Sequence, residues 1–136
     1  MSLKGKRVFI VEDDAGGLAV ASHYLREAGA LVLYRNRGEG VAEEIKKYLP
    51  VHLVLMDLML PAQVSGFDVF AQLHSDPALS EIPVIAVSSM DPDLAMPRAK
   101  EMGFAGFIAK PLSPNILRHV QSVLDGKKVW VGDSRG

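Results

Sequence analysis

Short apolar segments alternate along the chain with longer stretches in which apolar residues recur every three or four positions. The short segments are apolar on both faces and rich in Val, Ile and Leu, which is typical of buried strands in a parallel sheet. The longer stretches have the period of amphipathic helices. The pattern therefore predicts an α/β protein, with a doubly wound parallel sheet of five strands and five helices on its two faces. The predicted strands are residues 7–11, 31–34, 52–56, 83–87 and 106–109.

Two segments depart from this simple alternation. Pro97 would lie inside a helix that begins at Asp91-Pro92, where it would remove a backbone hydrogen bond and clash with the preceding turn. We therefore predict that the fourth helix begins late, near residues 95–97, after a long flexible loop. Val129-Trp130-Val131 follows the last predicted helix. We expect this segment to pack back on the domain, with contact to a partner protein as the second interpretation.

Composition narrows the class of protein. The chain has 136 residues and no cysteine, which excludes disulfides, thiolate metal sites and cysteine nucleophiles. That length suits one domain, which we place at residues 6–125, with a C-terminal tail at 126–136. A formal net charge of −1 gives no overall basic field for nucleic acid or a membrane surface. No secretory signal and no membrane-spanning apolar run are present, so we expect a soluble cytoplasmic protein.

Polar residues with useful chemistry follow the predicted strands directly. In open parallel sheets, ligands bind beyond the carboxyl ends of the strands, near the point where the strand order reverses. Because each of these polar residues follows an apolar run, we interpret them as members of one site. They are Glu12, Asp13, Asp57, Ser88 and Lys110.

These residue types together indicate phosphoryl transfer to a carboxylate. Three carboxylates at one sheet edge repel one another and resist ionising together without a counter-charge. Mg²⁺ would remove that conflict, since it prefers carboxylate, carbonyl, water and phosphate oxygens. The ammonium of Lys110 suits a phosphate oxygen, and the hydroxyl of Ser88 is able to donate a hydrogen bond to a second one.

Four segments carry a resemblance to a known family. Each lies at the end of a predicted strand, and their order along the chain is that of the family: residues 8–14, 53–61, 82–89 and 106–111. Together they resemble the response-regulator receiver domain of two-component systems. The resemblance covers residues 6–125. It implies a flavodoxin-like fold with strand order 2-1-3-4-5, and a phosphorylation-dependent switch that catalyses only its own phosphorylation and dephosphorylation.

The resemblance also implies a role for each site residue. Asp57 would accept the phosphoryl group from a histidine kinase or phosphotransfer protein. Asp13 would bind Mg²⁺ directly, Glu12 directly or through water, and Asp57 and the backbone carbonyl of Met59 would complete the protein ligands. Lys110 would pair with the phosphate, and its bond to the following proline would be cis.

Signal output is implied for a different part of the domain. Ser88 would move toward the phosphoryl group, and Phe107 would follow by rotating inward. That motion would remodel the surface of the fourth helix, fifth strand and fifth helix, which would control an unknown downstream protein. The same surface would support a weak homodimer if the protein is not monomeric, and direct binding to nucleic acid or membrane is not expected.

The chain departs from the family pattern at several positions. The loop between Pro61 and Gly66 is one residue longer than usual. Ser88 keeps the hydroxyl of the more common Thr, whereas Phe107 lacks the hydroxyl of the more common Tyr. Met59 and Met90 flank the path of the hydrolytic water in this family. Because methionine side chains cannot orient that water, we predict slow self-dephosphorylation.

Three other kinds of protein share parts of this pattern. A receiver-like interaction module that is never phosphorylated would usually lack the acceptor or the lysine, and this chain has both. A phosphohydrolase with an aspartyl-phosphate intermediate would have a D-x-D arrangement at its first strand, whereas Asp57 follows the third. A flavin-binding electron carrier would need a hydroxyl-rich phosphate loop where this chain has Glu12-Asp13-Asp14.

Overall fold

The computed structural model describes residues 2–133, which form six strands and five helices in strict alternation. The strands are β1 (Arg7–Val11), β2 (Leu31–Arg35), β3 (Leu53–Asp57), β4 (Val84–Ser88), β5 (Gly106–Ala109) and β6 (Val129–Val131). The helices are α1 (Ala15–Glu27), α2 (Val41–Lys47), α3 (Gly66–Ser75), α4 (Pro92–Met102) and α5 (Ile116–Leu124).

The sheet is parallel throughout, with the order β2-β1-β3-β4-β5-β6. The order predicted for the first five strands is confirmed, and a sixth strand extends the sheet beyond β5. Every residue of β3, β4 and β5 is buried, in agreement with their continuous apolar sequences. The strand order reverses at β1 and β3, so their carboxyl ends border the crevice in which such sheets bind ligands.

An apolar core lies on each face of the sheet. Phe9 and Val54 point into the core that α2, α3 and α4 cover, whereas Val8 and Leu55 point into the core beneath α1 and α5. This alternation follows from the two-residue period of a strand. Among residues 2–133, no helix is both long enough and apolar enough to cross a membrane.

Helix α4 begins earlier than we predicted. It is continuous over Pro92–Met102, so the prediction of a late start near residues 95–97 after a long loop is wrong. Asp91 caps the helix, its carboxylate accepting a hydrogen bond from the backbone amide two residues on at 2.9 Å. Pro92 occupies the first turn, where a missing N–H has no intrahelical partner to lose. Pro97 lies on the exposed face of α4, so the helix continues through it without disturbing the core beneath.

The longer loop after β3 is accommodated by two residues with left-handed backbone conformation. Ala62 and Gln63 have φ angles of 63° and 62°. Ser65 then caps the N-terminus of α3 and forms a reciprocal capping box with Asp68. A Cβ atom on Gly66 would lie 2.2 Å from the backbone oxygen of Asp57, so α3 approaches β3 closely only because this residue is glycine.

The segment Val129–Val131 forms β6 and pairs with β5, which confirms the prediction that it packs back on the domain. All three residues are half-buried. The remainder of the predicted tail includes residues 134–136, which lie outside the described residues.

Candidate functional site

Four parallel strands bring the predicted site residues to one edge of the sheet. The register pairs Val11 with Met56, so Glu12 lies next to Asp57 across the β1–β3 pair. Asp57 itself is opposite Val87, the residue before Ser88. Because the strands are parallel, all of their carboxyl ends meet at this edge.

Three carboxylates converge at this edge. One oxygen from each of Glu12, Asp13 and Asp57 lies within 4.8 Å of the other two, a spacing that suits a single metal ion. Glu12 and Asp57 are buried, with 6% and 5% of their surface exposed, whereas Asp13 is exposed. Oxygen donors of this kind match the preference of a hard divalent cation such as Mg²⁺.

Lys110 points into the carboxylate cluster. Its Nζ donates to Oε1 of Glu12 at 2.6 Å and to Oδ2 of Asp57 at 3.2 Å. The lysine follows β5, and its peptide bond to Pro111 is cis, as the family resemblance implied. The ammonium therefore neutralises part of the charge of the two buried carboxylates.

Burial and neighbouring charges have opposite effects on the pKa of Lys110, and they compete at Glu12 as well. Burial raises the pKa of Glu12 above its ordinary value, the neighbouring Asp57 raises it further, and Lys110 only partly offsets both. For Lys110, burial by itself lowers the pKa, but the hydrogen bond to Glu12 and the charge of Asp57 outweigh that effect and raise it. Lys110 is therefore charged at neutral pH, while Glu12 takes up a proton more readily than an exposed glutamate does.

The carboxylate of Asp57 is held on both sides. Its Oδ1 accepts a hydrogen bond from the backbone amide of Met59 at 2.9 Å, while its Oδ2 contacts Lys110. The side chain of Met59 turns outward and is 57% exposed. The two contacts fix the carboxylate plane at the end of β3.

The two predicted switch residues are both fully buried. Ser88 has no exposed surface, and its Oγ accepts a hydrogen bond from the backbone amide of Met90 at 3.0 Å. Phe107 is packed inward with no exposed surface and lies opposite Ala86 of β4. The inward position proposed for the phosphorylated state is thus already occupied by Phe107 in this conformation.

The first turn of α1 also shapes the site, which the sequence pattern did not predict. Asp14 caps this helix by accepting from the amide of Gly17 at 2.7 Å, and its own amide donates to Glu12 Oε2 at 3.3 Å. A Cβ on Gly17 would lie 2.9 Å from Glu12 Oε1. The signal was a glycine pair inside a helical pattern, which commonly marks close packing.

A cavity of about 390 Å³ adjoins the carboxylates. It lies between the first turns of α1 and the segment after β5, and it has both charged and apolar walls. Its lining includes Glu12, Gly17, Val20, Lys110 and Leu112. A ligand or a partner's side chain therefore has space to approach the buried carboxylates from this side.

The chain is similar in sequence to known proteins over most of its length. Residues 8–121 match the sequence model of the response regulator receiver domain. The polar-differentiation response regulator DivK of Brucella anthropi is 31% identical over 120 residues, which cover 88% of this chain and 96% of DivK. Protein PilH of Pseudomonas aeruginosa is 31% identical over 122 residues, which cover 88% of this chain and 98% of PilH.

Solved structures share the fold. The chemotaxis protein CheY4 of Vibrio cholerae aligns with a TM-score of 0.79 at 21% identity, over 87% of this chain and 98% of that protein. A response regulator from Desulfuromonas acetoxidans aligns with a TM-score of 0.79 at 26% identity, over 88% of this chain and 97% of that protein.

Proposed function

Since the chain belongs to the response regulator receiver family, we propose that it is a phosphorylation-dependent switch whose acceptor is Asp57. The observation that carries this proposal is the position of the Asp57 carboxylate. It is buried, contacts Lys110 and lies within 4.8 Å of carboxylate oxygens of Glu12 and Asp13. The phosphoryl donor would be a histidine kinase or phosphotransfer protein in the cytoplasm, with a downstream protein as the target.

The residues around Asp57 suit the transfer step. A carboxylate oxygen of Asp57 would form the new O–P bond as the P–N bond to the donor imidazole breaks, and the imidazole keeps the electron pair of that bond. Lys110 would pair with a phosphoryl oxygen, since its ammonium already contacts the acceptor carboxylate. The cavity beside Glu12 and Lys110 would admit the donor side chain.

The carboxylate cluster fits Mg²⁺. Glu12, Asp13 and Asp57, with the Met59 backbone carbonyl, would hold the ion. When bound, it would neutralise the charge that accumulates when a phosphoryl group meets three acids. Lys110 alone does not neutralise the cluster, since one ammonium faces three carboxylates.

The switch would depend on differential contacts of the phosphoryl group. Ser88 keeps its hydroxyl proton available while its Oγ accepts from the amide of Met90, so it is able to donate to a phosphoryl oxygen. A phosphoryl group adds about −1.5 to −2 charge and three acceptor oxygens at this point. It would favour the conformation in which Ser88 and Lys110 reach those oxygens best. Because Phe107 is already packed inward, that conformation would alter the surface of α4, β5 and α5 through the segment between Ser88 and α4.

Acceptor chemistry is tested by weighing the intact protein after incubation with acetyl phosphate and Mg²⁺. We expect wild type to gain the mass of one phosphoryl group and Asp57→Asn to gain none. Asp76→Asn is the matched control, since Asp76 lies at the far end of α3 and is paired with Lys46. An adduct on Asp57→Asn would contradict the proposal by placing the acceptor at another residue. No adduct on wild type would also contradict it, and would favour a receiver-like module that phosphorylation does not regulate.

A further inference from the structure

Strand β6 lies on the surface from which we propose that the signal is read. It pairs with the outer edge of β5, and the backbone amide of Val129 donates to the carbonyl of Ala105 at 3.2 Å. The family match ends at residue 121, so β6 is an addition to the matched domain. The edge of β5 is therefore already occupied by the chain itself.

Trp130 connects β6 to both the proposed switch residue and α4. It lies opposite Phe107 in the β5–β6 register and packs against the core to which Phe107 belongs. The Lys100 ammonium of α4 is 5.1 Å from the centre of the Trp130 ring, within the range of a cation–π interaction. A change in Phe107 or in α4 thus alters the contacts of Trp130 directly.

Gly106 allows β6 to lie this close to β5, and Gly132 follows β6 beside α4. A Cβ on Gly106 would lie 2.7 Å from both Cγ2 and the backbone oxygen of Val129, but at an ordinary 3.6 Å from Ile85. At Gly132, a Cβ would lie 3.5 Å from Met96 and from Pro92 of α4. The residue that follows β6 therefore lies beside the first turns of α4, whose start is only four residues after Ser88.

From these contacts we infer that β6 is a built-in cover of the α4–β5–α5 surface, and that phosphorylation of Asp57 releases it. This inference rests on the proposed function. Movement of Ser88 toward a phosphoryl group displaces the short segment that leads into Pro92, on which the end of β6 rests. Phe107 is already packed inward while Trp130 lies opposite it, so the release depends on this segment and on α4 rather than on rotation of Phe107.

The size of β6 makes release feasible. The strand has three residues, none of them fully buried, and it lies at the edge of the sheet. Segments with few buried contacts open at free energies well below that of global unfolding. An extended apolar segment of a partner, with a large side chain in the place of Trp130, fits the edge that β6 vacates.

Trp130 reports on its own release because it is the only tryptophan in the chain. Fluorescence of the full chain is measured before and after addition of Mg²⁺ with beryllofluoride, an analogue of the phosphoryl group. We expect the emission to shift to longer wavelength and quenching by acrylamide to increase. Unchanged emission and quenching in protein that binds beryllofluoride would overturn the inference.

The affinity for beryllofluoride provides a second measurement, because phosphorylation and β6 docking are thermodynamically linked in the proposed mechanism. If phosphorylation releases β6, variants that weaken β6 docking must bind beryllofluoride more tightly, since the coupling is reciprocal. We expect Gly106→Ala and Trp130→Ala to tighten binding by about fivefold or more in calorimetric titrations. Tyr34→Ala is the control, because Tyr34 is an exposed aromatic residue on the opposite edge strand β2.

The outcomes separate this inference from the function on which it rests. Unchanged or weaker binding in Trp130→Ala, with a normal phosphoryl adduct on wild type, overturns the role of β6 and leaves the acceptor role of Asp57 intact. Absence of both adduct and beryllofluoride binding overturns both. Trp130→Ala alone decides the matter if Gly106→Ala does not fold, because it removes a half-buried side chain at the edge of the sheet.

Discussion

Replacing Lys110 by methionine tests how the carboxylate cluster is held together. The substitution keeps an unbranched side chain but removes the ammonium, whose Nζ lies 2.6 Å from Glu12 and 3.2 Å from Asp57. At an effective dielectric constant near 20, each contact corresponds to roughly 5–6 kcal/mol of attraction. Desolvation of the three ions opposes most of that gain, at several kcal/mol per ion.

The net change in the free energy of unfolding depends on the carboxylates that the substitution leaves without a partner. Breaking a fully buried ion pair costs about 3–5 kcal/mol, because the partner is left buried and unpaired. The Lys110 side chain retains 22% exposure, so we expect a smaller loss of about 2–4 kcal/mol in the free energy of unfolding at pH 7. Mg²⁺ should restore much of the loss in Lys110→Met, since it supplies positive charge to the same carboxylates.

The pH dependence of this loss has a defined sign. The pKa of Glu12 is already above its ordinary value of 4.5, and removing Lys110 removes a contact that lowers it. A carboxyl group with a raised folded-state pKa favours the folded protein at low pH and loses that contribution as pH rises through the folded-state value. The variant should therefore approach wild-type stability as pH falls from 7 toward 4.5.

Urea unfolding between pH 7 and pH 4.5, with and without Mg²⁺, measures the loss of stability, its recovery with Mg²⁺ and its pH dependence. Lys47→Met is the matched control, because Lys47 forms an exposed ion pair with Glu44 at 3.3 Å and its side chain is 66% exposed. That control should lose no more than about 0.5 kcal/mol. A loss at Lys110→Met as small as that of the control at pH 7 without Mg²⁺ would refute this account of the cluster.

Two further variants test the surroundings of the proposed acceptor. Gly66→Ala places a Cβ 2.2 Å from the backbone oxygen of Asp57, so we expect a loss of about 1–3 kcal/mol in urea unfolding and slower phosphorylation by acetyl phosphate. An unchanged unfolding midpoint would show that α3 moves without penalty. Replacing Met59 and Met90 together by Asn and Glu should speed loss of the phosphoryl group roughly tenfold or more, measured by intact mass over time. Rapid loss in wild type that the double variant leaves unchanged would contradict the prediction.

The sheet and its reactive edge were predictable because both depend on local sequence. Continuous apolar runs such as those of β3 and β4 are compatible only with burial on both faces, and each run ends at a residue with a polar side chain. A parallel sheet then forces Asp57 and Lys110 to the same edge. The contact between them, at 3.2 Å, depends also on the order of the strands and the inward direction of the lysine, which only the family resemblance implied.

The fourth helix and β6 were harder to predict because tertiary packing contributes to both. The local effect of Pro97 favoured a late start, but an Asp91 cap and burial of Ala95 and Ala99 favour a helix from Pro92 onward. In β6, three residues are too few for a periodic signal to identify a strand. Its place depends on space above a glycine that lies more than twenty residues earlier in the chain, and no local pattern reveals that space.

The cluster at the sheet edge is an inefficient way to stabilise a protein, which is itself an argument for function. Glu12 and Asp57 are almost wholly buried beside a third carboxylate, and the pKa of Glu12 remains raised although Lys110 lies 2.6 Å away. Well-packed apolar residues in place of a buried ion cluster are commonly neutral or stabilising. The acids therefore make this edge dependent on added positive charge, and a cation that met that need would also prepare Asp57 for the phosphoryl group that we propose it receives. In the proposed function, stability and phosphoryl acceptance would be linked through the same carboxylate oxygens.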